Sequence, residues 1–70
     1  MSNKEISVMD NIRSELNRKG ITAKEFCNIM GVTPSAYRTW LKNGELPTAQ
    51  FIKCAKLFDC TLEYLARDVK

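Results

Sequence analysis

No histidine occurs in the 70 residues of this chain. That removes the commonest general base and metal ligand, and it leaves the serines and cysteines without a partner to activate them. Glycine is scarce too, with three residues standing singly at positions 20, 31 and 44, so there is no glycine-rich phosphate loop. Enzymatic chemistry and cofactors are not expected. Nor does any apolar run approach the roughly 20 residues that a bilayer crossing needs. The first ten residues carry Glu5 and Asp10 and lack the apolar core of a secretory leader. The expectation is a soluble, cytoplasmic protein with no membrane partner and no evident small-molecule ligand.

Cysteine is present but in the wrong pattern for a disulfide framework or a metal. Cys27, Cys54 and Cys60 are an odd number in a chain without a leader, and each fits an apolar position. They read as reduced core thiols. Zinc would ask for close cysteine pairs or histidines, whereas Cys54 and Cys60 are six apart. No metal is expected.

Net charge is only +3, so its distribution carries more information than its size. Residues 11–44 hold six cations (Arg13, Arg18, Lys19, Lys24, Arg38, Lys42) against Glu15 and Glu25, a net of +4. Residues 45–70 balance, and residues 1–10 contribute −1. The basic excess therefore surrounds the middle of the chain. Solvated helix faces would produce the same count, so the pattern beside the charges has to decide.

Composition is that of a globular chain, with 44% apolar and 27% charged residues. No stretch alternates with period two, and the apolar spacing is helical throughout. Ser7 to Lys19 predicts a first helix with Met9, Ile12 and Leu16 on one side, capped by Ser7 with Asp10 and ended by Gly20. Thr22-Ala23-Lys24-Glu25 fits a capping box, with Ile21 stapled onto Phe26 and an inner face of Ala23, Phe26, Cys27 and Met30. Gly31 closes that helix. Thr48, after Pro47, is expected to cap a fourth helix with Phe51, Cys54, Ala55 and Phe58 inward. Thr61 opens a fifth, with Leu62 and Leu65 facing in. The whole is an all-α, compact five-helix bundle in one domain, 1–70, with ends fraying at about 1–6 and 67–70.

The stretch from Gly31 to Lys42 is the one with a two-faced pattern. Thr33 caps, Pro34 suits the first helical position, and Gly44 after Asn43 terminates. Ser35, Arg38, Thr39 and Lys42 fall at i, i+3, i+4 and i+7 on one stripe, while Ala36, Tyr37, Trp40 and Leu41 line the other face. A helix pinned by its rings and presenting donors outward is what reading the DNA major groove requires. The tight turn between the second and third helices predicts a steep crossing, as in a helix-turn-helix.

These residues, followed by Leu46-Pro47-Thr48-Ala49 and Thr61-Leu62-Glu63-Tyr64-Leu65, resemble the phage-repressor and Cro type of helix-turn-helix domain, lambda-repressor-like in architecture. The resemblance spans roughly residues 8 to 66. It implies five helices, the third entering the major groove, and operator binding as a dimer. Three departures stand out. Ala23 replaces a Gln common in the family, Cys27 replaces an Ala, and Tyr37 replaces an Ile or Val. The segment from Trp40 to Phe51 is also about one residue off the common spacing.

Ser35, Arg38 and Thr39 are accordingly the base-contact candidates, Arg38 foremost because a guanidinium bonds guanine bidentately. Pairing of Arg38 with Glu25 or a phosphate is the alternative. Thr22, Thr33, Lys42, Asn43 and Lys24 are the phosphate candidates, and Arg18 and Lys19 add charge. Phe26, Cys27, Tyr37, Trp40, Phe51, Phe58, Leu62 and Leu65 are the expected core. Double-stranded DNA is the expected partner, and a small repressor acting by operator occupancy is the expected function. A homodimer is expected too, through a terminal patch of Tyr64, Leu65 and Val69. The rival reading keeps the bundle but makes it a protein-interaction module that binds no DNA.

Overall fold

Four of the five helices in this computed structural model start on a hydroxyl, which describes residues 6–69. Ser7 Oγ accepts from the Asp10 amide at 3.1 Å ahead of α1 (Val8–Lys19), and the Asp10 carboxylate returns to the Ser7 N–H at 2.9 Å. Thr22 and Glu25 repeat this reciprocal box ahead of α2 (Ala23–Met30). Thr33 and Thr61 cap α3 (Pro34–Asn43) and the one-turn α5 (Leu62–Leu65) with a single bond each. Each device satisfies helix-start amides that have no carbonyl partner.

The exception is α4 (Thr48–Phe58), and here the expected Thr48 cap is corrected. Pro47 occupies the cap with extended geometry, its carbonyl accepts from the Phe51 amide at 2.9 Å, and no side chain caps the helix. Thr48 is thus the first helical residue. From there its hydroxyl is one position too far along to play the cap's part.

The helix ends turn in the left-handed region at Gly20, Gly31, Gly44 and, without glycine, Asp59 at φ 53°. Gly44 needs its missing side chain twice over. Its φ is +78°, and a Cβ there would lie 3.1 Å from the Ser7 Cβ. The end of the third helix and the cap of the first therefore touch at this point.

Between these helices lies one core. Phe26, Cys27, Tyr37, Trp40, Phe58 and Leu65 are buried in it together with Met9, Ile12, Leu16, Met30, Cys54 and Ala55. Phe51 is half-buried against its edge. Leu62 does not belong there, being 41% exposed. A helix of one turn offers a single inward position, which Leu65 takes at 0% exposure. Ala23 is likewise exposed rather than inward, because α2 reaches the core only from its second turn, at Phe26.

The first and last parts of the described residues meet across α1. Asn11, 6% exposed, donates both amide hydrogens, to the carbonyls of Leu65 and Arg67, at 2.8 Å each. One turn on, the buried Glu15 carboxylate accepts from the Tyr64 hydroxyl at 2.9 Å and from Arg18 at 3.2 Å, with Arg67 at 3.9 Å. Ile6 and Val69 form an isolated parallel bridge beside this clasp. Of the ends expected to fray, residues 1–5 and 70 lie outside the described residues. Among the described residues no helix is long and apolar enough to cross a membrane.

Candidate nucleic-acid interface

Three residues, Gly31 to Thr33, join α2 to α3. The Gly31 and Val32 amides fold back onto the Asn28 and Cys27 carbonyls at 3.3 and 3.0 Å, so the turn spends its donors on the end of α2. A lysine finishes the job from another element. The Lys53 ammonium on α4 donates to the Met30 carbonyl at 3.0 Å, a contact favoured by the negative end of the α2 dipole. Nothing local in the sequence marks a residue 23 positions away as the partner of Lys53.

Helix α3 is held from behind by aromatic rings. Tyr37 and Trp40 are 7% and 8% exposed, and Tyr37 meets Phe26 edge to face at 5.5 Å between centroids. These rings serve the core rather than stacking on bases. The opposite face carries Ser35, Arg38, Thr39, Lys42 and Asn43, all exposed.

Individual side chains on that face differ in what they still have to offer. Arg38 makes no hydrogen bond or ion pair among the described residues, so its five donors remain available. The alternative partner, Glu25, is engaged elsewhere. Its bonds to the Thr22 backbone and hydroxyl hold its carboxyl below the usual range. Thr39 donates its hydroxyl hydrogen to the Ser35 carbonyl at 3.1 Å, which leaves its lone pairs and methyl facing outward. Thr22 and Thr33 use their hydroxyls as caps.

The candidate side chains differ in where they lie. Lys24 and Arg38 line one crease of about 450 Å³ between α2 and α3, together with Ala23, Pro34, Tyr37 and Leu41. Arg13 and Thr22 border a second hollow of about 310 Å³ behind it. Asn43 belongs to the far end of α3, beside Trp40, Pro47 and Thr48. Arg18, counted among the basic candidates, is instead committed to Glu15 and to the Tyr64 hydroxyl, at 3.2 and 3.0 Å. Spacing alone does not distinguish Arg13, which borders the second hollow, from any exposed cation of α1.

The three cysteines are free, Cys27 and Cys54 buried and Cys60 half-buried. Burial pushes the Cys54 thiol up to about 12 and raises that of Cys60 as well. No group of three metal-ligating side chains occurs among the described residues.

A short helix, a three-residue turn and a second helix fixed by its rings, with an exposed polar stripe, define a helix-turn-helix unit within an all-α fold. A family model described as helix-turn-helix matches residues 12–65. The chain belongs to the phage-repressor and Cro type of helix-turn-helix family, and its function is of the DNA-binding, transcription-regulating kind. Comparison with curated proteins and with solved structures returned no match.

Proposed function

We propose that this chain is a small sequence-specific repressor of phage or mobile-element type, which occupies an operator and blocks access to a promoter. The observation that carries this reading is Arg38. A guanidinium with no internal partner among the described residues, on the exposed face of a ring-pinned helix, is free to bond guanine bidentately. Ser35 and Thr39 flank it on the same stripe as further base contacts, while Lys24, Lys42, Asn43 and the helix starts at Thr22 and Thr33 suit phosphates. Mechanistically the protein does no chemistry. It competes for DNA by mass action.

Operator binding by two copies fits the size of the chain, since one such module covers about half an operator. The apolar contact for a twofold partner has to be redrawn from the sequence expectation. Leu65 is wholly buried, and the Tyr64 hydroxyl is bonded to Glu15 and Arg18. Exposed Leu62, Val69 and Ile6, at 41%, 39% and 38%, remain for it.

Titration of duplex DNA at several salt concentrations tests the reading. Neutralising four to six phosphates gives a log-log slope of about −4 to −5. A slope near zero would favour the protein-interaction module instead. In transcription from a template whose promoter overlaps the bound site, output should fall as the site fills. A rise would replace repression by activation. Sedimentation showing monomer at tens of micromolar, with one copy per DNA site, would remove the dimer.

A further inference from the structure

The crease between α2 and α3 is unlike the rest of the DNA-facing surface. Its apolar lining is Ala23, Pro34, Tyr37 and Leu41, and the buried Cys27 also borders it. Pro34 is the first residue of α3 and has no N–H, so that wall offers no donor where another residue would. Tyr37 cannot swing away, being pinned edge to face on Phe26. Polar groups occur at the rim, where the exposed cations Lys24 and Arg38 stand. The result is an apolar slot, flanked by positive charge and continuous with the stripe that carries Arg38.

Thymine offers such a slot the largest apolar group of any base-pair edge. In the major groove, guanine, cytosine and adenine present donors and acceptors, whose burial against apolar walls without a partner is costly. Thymine adds a C5-methyl group, which projects from the base edge on the side of its own sugar-phosphate strand. A methyl seated between α2 and α3 would bring that strand's phosphates toward Lys24 and Arg38.

We propose that this crease is a thymine-methyl pocket, through which the protein selects thymine at one base pair beside the pair contacted by Arg38. The proposal rests on the DNA-reading role of α3 given above and adds a second specificity determinant, made of Ala23, Pro34 and Tyr37, that uses no hydrogen bond. Specificity at this pair comes from apolar contact alone. It is also a property of a small residue at position 23, because a longer side chain there would project over the slot.

The test starts from the duplex that the protein itself selects from random DNA. Each thymine of that duplex is replaced in turn by deoxyuridine, which removes the methyl and nothing else. Burial of one methyl is worth about a fourfold change in affinity, and one position should show it. In Ala23→Gln, an exposed position where folding is not at stake, thymine and uracil duplexes should bind equally at that position. In Thr39→Ser, which deletes the other methyl on the reading face, the fourfold ratio should persist. A motif with no uracil-sensitive position would overturn the pocket while leaving operator recognition standing. Sensitivity that survives Ala23→Gln, or disappears in Thr39→Ser, would place the methyl against Thr39 and likewise overturn it. A uniform loss on all sequences from Ala23→Gln, with a flat uracil scan, would assign the crease to the sugar-phosphate backbone. Failure to select any motif would remove both the pocket and the sequence-specific function on which it rests.

Discussion

Asn11→Ala removes the clasp that ties α1 to the end of the chain, and its cost can be worked from two hydrogen bonds. The Leu65 carbonyl lies in a buried contact, so losing its donor leaves an unsatisfied acceptor at about 1–3 kcal/mol. The Arg67 carbonyl is partly exposed, and water replaces its partner for about 0.5–1 kcal/mol. The sum is about 1.5–4 kcal/mol, against a total stability of about 3.5–10 kcal/mol for a chain this long. At about 4–8 °C per kcal/mol for a domain of this size, Tm should fall by about 6–30 °C. Urea titration followed by circular dichroism measures it, and the slope m should not change. Asn11→Asp should be worse at neutral pH, because a carboxylate would face two carbonyls. A loss below about 0.5 kcal/mol at constant m would refute the reasoning. Because the clasp lies on α1 and the chain's end, DNA sequence preference measured below Tm should stay as in the parent protein.

Other expectations follow from the same contacts. Arg38→Ala should relax preference at one base pair by about 1–3 kcal/mol of discrimination, whereas Lys42→Ala should weaken all sequences alike and lower the salt slope by about 1; competition binding at two salt concentrations separates them. The Glu25 carboxyl is held low in the folded state, so the stability it adds is present above its unfolded value and is lost as pH falls through the folded one. Glu25→Gln should therefore lag the parent protein at neutral pH and converge with it in acid, and parallel Tm curves would remove this linkage. With an aromatic disulfide reagent at pH 8, Cys60 should react first in the native protein, and Cys54, whose thiol is pushed up to about 12, should wait for unfolding. Mass mapping of the modified thiols checks the order.

What the sequence reveals most directly is local. Caps at Ser7, Thr22, Thr33 and Thr61 are visible because hydroxyl and amide lie three residues apart. Thr48 misleads for the same local reason, since its neighbour Pro47 can hold the cap geometry just as well. Leu62 misleads because its apolar character points inward while a one-turn helix has room for one inward residue. The exposed polar face of α3 is legible from spacing, with Tyr37 and Trp40 on one side and Arg38 on the other. The crease is not legible, because Ala23 and Pro34 become neighbours only when two helices cross. Asn11 and Glu15 stay hidden for a related reason. Each precedes an apolar position of α1, and their partners lie 54, 56 and 49 residues away.

The most direct test of the central claim is in-vitro selection of random duplex DNA by the purified protein, at near-physiological salt and read by sequencing. Operator recognition predicts one enriched motif, a palindrome with half-sites about 10 base pairs apart if two copies bind together. Retention without enrichment of any sequence would contradict it and turn the exposed face of α3 toward a protein partner.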